Sequence, residues 1–331
     1  MSIVSETDPV PPLVSVIVPA YNSARTIERC MAALVEQETT HRFEVIVVDS
    51  GEDETCALAT KVLANVRVVR VAQRAIPPKA RHLGTLYARG SIFAFIDSDI
   101  YPAQGWLDHV VQAAATGYDI ICGSIANANP HSRVSRAEQL LMFNEFLPDL
   151  PQKPVWFSLS GNMVLRRSAY EKFGPFVEVR AAEDVVFSRR LIAAGGTILF
   201  YPALQVAHDN RTRVRSYLRN QLLLGKHTAI ARRLVSFADT QSYALFLMLL
   251  PVAPLAKLAK IVLRLARSHP RSLGQVGKEF PLLFIGICTY CLGLGVGAAS
   301  RAPQAYRRAA RATRRHPGQS SGTQPGLWHN T

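Results

Sequence analysis

Residues 91–102 read SIFAFIDSDIYP, an apolar run from Ile92 to Ile96 that ends in Asp97-Ser98-Asp99. Five successive apolar residues suit a strand buried on both faces, and such strands belong to parallel sheets covered by helices. Two carboxylates one residue apart at the strand's end repel each other and resist desolvation, so the pattern asks for a cation. A solvated loop or a helix-capping aspartate is the plain alternative.

The flanking sequence supplies the rest of such a sheet. LVSVIVPAYN (13–22) is an apolar run ending near Pro19, and SARTIERCMAALVEQ (23–37) then places Ile27, Met31, Leu34 and Val35 at helical spacing. FEVIVVDSGEDET (43–55) repeats the pattern, followed by a helix around CALATKVLA (56–64), a strand VRVVRVA (66–72) and a short helix closed by Gly90. In open α/β sheets ligands bind at the carboxyl ends of the strands. Asn22, Asp49 and the Asp97/Asp99 pair all fall there. YDIICGSI (118–125), WFSLSGNMVLRR (156–167) and GTILFYPALQVAH (196–208) read as further strands. Between the last two, Glu183-Asp184 opens an amphipathic helix that Gly195-Gly196 closes.

Charge and composition narrow the function. The chain of 331 residues has 38 basic and 24 acidic side chains, but from Lys257 onward there are 12 Lys or Arg and one acid, Glu279. Most of the protein is nearly neutral, which argues against nucleic-acid binding, and the basic residues lie around apolar segments where anionic lipid is the better partner. Residues 281–299 are uncharged and long enough to cross a bilayer. Residues 241–256 are uncharged but broken by Pro251 and Pro254, and read as a re-entrant, interfacial or short kinked element. Buried soluble helices are the alternative for both. The five cysteines make no disulfide or zinc pattern, and are expected reduced. The N-terminus lacks the features of a signal peptide, so the folded domain is expected in the cytosol.

Taken in order, VSVIVPAYNSARTIERCMAAL, EVIVVDSGEDET, ARHLGTLYARGSIFAFIDSD, SGNMVLRRSAYEKFGPF and AAEDVVFSRRLIAAGGTILFYP resemble the family 2 glycosyltransferases. The resemblance covers about residues 13–210. It implies an α/β GT-A fold with a mixed, mostly parallel sheet between helices, and a membrane-associated enzyme of the inverting type. The expected organisation is an N-terminal arm (1–12), the glycosyltransferase domain (13–236), a membrane-associated helical region (237–300) and a basic, disordered tail (301–331). The enzyme is expected at the cytoplasmic side of the cell membrane, in contact with membrane lipids.

The resemblance also implies the site. The donor is a nucleotide-sugar, expected to be a UDP-sugar, and the cofactor a divalent Mg²⁺ or Mn²⁺. Asp99 is the expected metal ligand, with Asp97 nearer the ribose or assisting the ion, and Ser98 small enough to let a diphosphate approach. Asp49 reads the base, or else serves a turn. Pro19, Ala20, Tyr21 and Asn22 line the base and ribose. Arg81 is a phosphate contact or a surface residue, beside His82, which departs from the asparagine common in the family. His208 is a further metal ligand or a structural histidine. Asp184 is the expected general base, taking the proton of an acceptor hydroxyl; a helix-start charge is its alternative. Glu183 orients it or touches the acceptor. Gly161 and Asn162 match the turn beside the base, and Trp156 stacks on an acceptor sugar or fills the core. The acceptor is expected to be a glycan, lipid-linked or otherwise amphiphilic. A processive polysaccharide synthase is the rival enzyme, but Gln221 in RNQLLLGKH lacks the Arg-Trp those carry. A catalytically dead membrane scaffold is the rival from another class.

Overall fold

The computed structural model describes residues 3–5, 8–235 and 240–300. The expected tail 301–331 and parts of the expected arm lie outside the described residues. Nine strands among the described residues form one mixed sheet. They are β1 (Val14–Ala20), β2 (Phe43–Asp49), β3 (Arg67–Arg70), β4 (Ile92–Ile96), β5 (Ile100–Pro102), β6 (Ile120–Asn127), β7 (Lys153–Pro154), β8 (Asn162–Arg166) and β9 (Ile198–His208). The order is β3-β2-β1-β4-β8-β6-β9-β5, with β7 also on β9.

The first four strands of that order run parallel, and every residue of β1, β2 and β4 is buried, as expected of strands covered on both faces. Ala20 pairs with Asp49, so β1 and β2 end together at one edge. β8 then runs antiparallel to β4 and sets Asn162 beside Ile96. The short strand β5 folds back on β9 and pairs Ile100 with His208. These registers bring the ends of β1, β4 and β9 to one place.

Helices α1 (Ile27–Val35), α2 (Thr55–Val62), α3 (Pro77–Tyr87), α4 (Trp106–Ala114), α5 (Arg133–Met142), α6 (Arg167–Phe173) and α7 (Glu183–Ala193) cover the sheet. The expected strand 156–167 is shorter than its composition suggests. Val155 still donates to Ile198, but the Ser158 N–H is taken by the Ser188 hydroxyl of α7, and the chain rejoins the sheet only at Asn162. A side-chain hydrogen bond there replaces a ladder bond, and Trp156 is left outside the core.

The C-terminal helices are α8 (Val214–Val235), α9 (Thr240–Leu249), α10 (Ala253–Ser268) and α11 (Leu273–Ala299). Pro251 lies in the turn between α9 and α10, while Pro254 sits in the first turn of α10, where a missing N–H costs nothing. The stretch after Lys257 is largely helical, as the expected helical region 237–300 requires, with Ile261 and Leu265 buried one turn apart. α11 packs on α8 at backbone distance. A Cβ on Gly293 would stand 2.3 Å from the Leu222 carbonyl oxygen, and one on Gly297 2.1 Å from that of Lys226. Only glycine fits such a seam. At the start of α11, Glu279 is buried and ion-paired with Arg133 (3.1 Å) and Arg136 (2.6 Å) of α5. Ile285, Leu292 and Val296 remain exposed on α11. Residues 270–299 form one helix long and apolar enough to cross a membrane.

Candidate functional site

The strand ends enclose a cavity of about 540 Å³. Pro19, Ala20, Tyr21 and Asn22 line one side, Asp97, Ser98 and Asp99 the floor, and His208 and Arg211 the other side. Asn22 adopts a left-handed backbone (φ 50°), and its Oδ1 accepts the Glu52 N–H at 3.0 Å. Gly51 makes this possible, because a Cβ there would lie 2.5 Å from the Asn22 nitrogen. Tyr21 is 40% exposed and carries the Arg74 guanidinium 4.0 Å from its ring centroid. A flat aromatic face backed by a cation suits a base or ribose. The Ser98 hydroxyl meets that of Ser23 at 2.8 Å, which ties the β4 tip to the start of α1.

Asp99 faces His208, with the carboxylate Oδ2 3.7 Å from the imidazole Nε2. The tautomer of that imidazole is fixed by a chain of hydrogen bonds. Gln139 Nε2 donates to the Ile125 carbonyl at 2.7 Å, so Gln139 Oε1 is an acceptor. Asn210 Nδ2 donates to it at 2.7 Å, which leaves Asn210 Oδ1 to accept from His208 Nδ1–H, also at 2.7 Å. A neutral His208 thus keeps its proton on Nδ1 and turns the lone pair of Nε2 towards Asp99. Two lone-pair donors, one nitrogen and one carboxylate oxygen, then face each other across a gap. This donor set fits a divalent cation. Among the described residues no three His, Cys, Asp or Glu side chains cluster for a metal, so the protein offers a pair. Burial raises the Asp99 carboxyl above its ordinary range and the Asp97 charge adds to the rise, while His208 in its protonated form opposes them.

Arg81 lies beneath this floor, 1% exposed. Its guanidinium donates to Asp97 Oδ1 and, at 3.0 Å, to Glu183 Oε1. The expected phosphate contact is therefore corrected: Arg81 is a brace between two carboxylates, with its Nε left unpartnered. His82 beside it bonds the Tyr170 hydroxyl at 3.0 Å. A Cβ on Gly161 would stand 3.0 Å from Asp97 Oδ2, so Gly161 makes room for that carboxylate.

Glu183 and Asp184 follow Ala182, which has a left-handed backbone (φ 65°) at the start of α7. Backbone strain of this kind costs about 1–3 kcal/mol and clusters at functional sites. Here the two acids part company. Glu183 is buried against Arg81 and Ser160, while Asp184 lines a second cavity of about 620 Å³. Burial, then the neighbouring Asp184 charge, pushes Glu183 up to about 7 against the pull of Arg81. Burial also raises Asp184, opposed by the Val185 N–H that its Oδ1 accepts at 2.8 Å. Trp156, 39% exposed, lines the same cavity, with its ring 4.4 Å from that of Phe157. The core alternative for Trp156 therefore falls. Met142 and Leu224 line both cavities, so the two adjoin there.

Asp49 and Asn162, like Arg81, Gly161 and Glu183, line neither cavity. Asp49 is fully buried, with Oδ1 accepting the Gly51 N–H and Oδ2 the Cys56 thiol, both at 2.9 Å. It serves the turn that sequence left open as its alternative. Asn162 is also fully buried; its amide donates to the Ser124 and Leu204 carbonyls and accepts from Trp106 Nε1. It pins strands together. All five cysteines are free. Sequence reading missed Arg25, Arg74, Arg180 and Arg211, which bring positive charge to the first cavity. Arg211 follows His208 by three residues, a spacing that placed it beside the strand end.

A model of glycosyl transferase family 2 matches residues 15–174. Glycosyltransferase AglE of Haloferax volcanii is 29% identical over 224 residues, covering 65% of this chain and 72% of that protein. The pre-mycofactocin glycosyltransferase of Mycobacterium tuberculosis is 28% identical over 227 residues, again 65% of this chain but about half, 47%, of the relative. Among solved structures, the mannosyltransferase PcManGT from Pyrobaculum calidifontis, in complex with GDP-Man and Mn²⁺, aligns with a TM-score of 0.52 and 20% identity over 95% of this chain and 90% of its own. GalNAc-T7 with UDP, GalNAc and Mn²⁺ aligns with a TM-score of 0.50 and 15% identity, over 62% and 45%. These likenesses establish the GT-A fold.

Proposed function

With residues 15–174 belonging to glycosyl transferase family 2, we propose that the chain is a membrane-associated, metal-dependent, inverting glycosyltransferase that moves a sugar from a nucleotide-sugar donor to the hydroxyl of a glycan-bearing acceptor. The single observation that carries this reading is the division of carboxylates between adjoining cavities: Asp97 and Asp99 in the first, Asp184 in the second.

The first cavity takes the donor. Tyr21 and Arg74 flank the base and ribose, and Arg180 brings positive charge for the diphosphate beside Arg25 and Arg211, which are paired with Asp209 and Glu138. Asp99 and His208 would hold the divalent cation, which would supply neutralising charge for the leaving diphosphate. Mn²⁺ is present with GDP-Man in one structure of similar fold and with UDP and GalNAc in the other, which supports Mn²⁺ or Mg²⁺ here. Asp97, held by Arg81, supports the ribose side and adds negative charge near the cation.

The acceptor hydroxyl enters from the second cavity. Its oxygen bonds to the anomeric carbon as the bond from that carbon to the phosphate oxygen breaks. The proton goes to Asp184, and the electron pair leaves with the nucleoside diphosphate. One displacement from the opposite face inverts the anomeric carbon. Proton NMR of the product should therefore display the anomeric configuration opposite to the donor's; retention would exclude direct attack assisted by Asp184.

The exposed apolar residues of α11, with Leu247, Met248, Leu249, Val252 and Leu255 around the α9–α10 turn, support attachment to a membrane. The His208 tautomer makes a separate prediction. Asn210→Ala removes the acceptor that keeps the proton on Nδ1, and should weaken Mn²⁺ binding by about 10–100-fold while His208 remains in place. Manganese titration followed by electron paramagnetic resonance reads this directly; unchanged affinity would mean His208 is no ligand.

A further inference from the structure

We propose that the cavity beside Asp184 is the binding site of an anionic amphiphile: an acceptor whose phosphate-type group meets a set of cations and whose hydrocarbon chain lies against α9, α10 and α11. This names the acceptor class and rests on the transferase reading above.

The chemistry of the walls carries it. The apolar lining includes Phe246, Leu249, Leu250, Ile261 and Leu294. The same cavity is lined by five cations, Arg189, Arg232, Lys257, Lys260 and Arg264, against two carboxylates, Glu145 and Asp184. Glu145 is already paired with Arg264 at 2.9 Å, and Asp184 is the candidate base. Positive charge is therefore in excess, on surfaces that also exclude water. Partial burial lowers the Lys260 ammonium from its ordinary value, and Arg264, Lys257 and Arg232 push the same way against Glu145. Such crowding of like charges raises the energy of the empty site and is relieved by an anion.

Neither half of the surface suits a plain glycan. A neutral sugar gains nothing from five cations, and a soluble anionic sugar leaves the apolar wall uncovered. An amphiphile satisfies both, and α9–α10 carries the exposed apolar residues by which such a ligand could enter from a bilayer. Trp156, with the Arg189 guanidinium 6.0 Å from its ring, lies in the same cavity as Asp184, where the reacting head would lie.

The test uses the full chain in neutral detergent, with hexadecyl phosphate as probe and hexadecanol as its uncharged control, read by tryptophan fluorescence. Hexadecyl phosphate should bind saturably and at least about tenfold more tightly than hexadecanol, the fold-change expected when a charge-assisted contact forms in a partly buried site. Trp156→Phe should remove most of the signal. The double variant Lys257→Met/Lys260→Met should weaken the phosphate at least about tenfold and leave hexadecanol unchanged, with thermal melting to verify that it folds. Equal affinity of the wild-type protein for the two probes would overturn the proposal. So would full phosphate affinity in both the double variant and Arg232→Met. Donor turnover by the wild-type protein is measured alongside: its loss counts against the transferase reading, whereas turnover with no preference for the phosphate counts against this site alone.

Discussion

Asp184→Asn should lower sugar transfer by about a thousandfold and leave donor binding near its wild-type strength, since a positioned general base contributes roughly 10²–10⁴-fold. The substitution preserves shape and removes the proton acceptor. Donor affinity should survive because Asp184 lines the second cavity and is not among the residues lining the first. Transfer is measured at saturating donor, and donor affinity by calorimetry. A loss of less than tenfold would remove Asp184 as the base.

The pH profile gives the same claim a second reading. Burial raises the Asp184 carboxyl above its ordinary 3.8, and only its ionised form accepts a proton. Hence kcat/KM should fall as pH is lowered through the raised value and level off above it. The limb belongs to the Glu183/Asp184 pair, because Glu183 next door is itself pushed up to about 7. In Asp184→Asn the residual activity should lose this limb, because the paired titration is gone.

Asp99→Asn should cut divalent-stimulated transfer by about a hundredfold or more, as a metal ion supplies several kcal/mol of charge stabilisation to a leaving diphosphate. Unlike Asp184→Asn, it should also weaken donor binding, and excess Mn²⁺ should recover part of the loss. The contrast between the two variants separates the cation's cavity from the base's. If both variants lose transfer and keep donor affinity equally, Asp99 does not hold the cation.

The strand ends were legible because buried parallel strands have a simple signature, and polar residues closing them stand out. Asp97, Asp99 and His208 share one cavity for that reason. Side-chain direction was not legible. Asp49 closes its strand as expected, yet its carboxylate turns back to Gly51 and Cys56. Arg81 reads as a surface or phosphate residue because its partner Glu183 lies 102 positions away in sequence. The opposed directions of Glu183 and Asp184 depend on the left-handed Ala182, which nothing in the sequence announces.

The second cavity was the least visible feature. Its walls come from α5, α7, α8, α9, α10 and α11, and apolar residues facing lipid look the same in sequence as apolar residues facing protein. The glycine seam settles part of this, since Gly293 and Gly297 spend one face of α11 on α8. Glu279, the one acid from Lys257 onward, is likewise spent on Arg133 and Arg136.

The most direct test of the central claim is nucleoside diphosphate release from a panel of nucleotide-sugars by the purified chain, with membrane lipid extract, in Mn²⁺, Mg²⁺ or EDTA. The account predicts release from one donor, present with a divalent cation and abolished by EDTA. Release that EDTA leaves unchanged would contradict the role of Asp99 and His208, and no release from any donor would contradict the assignment of a transferase.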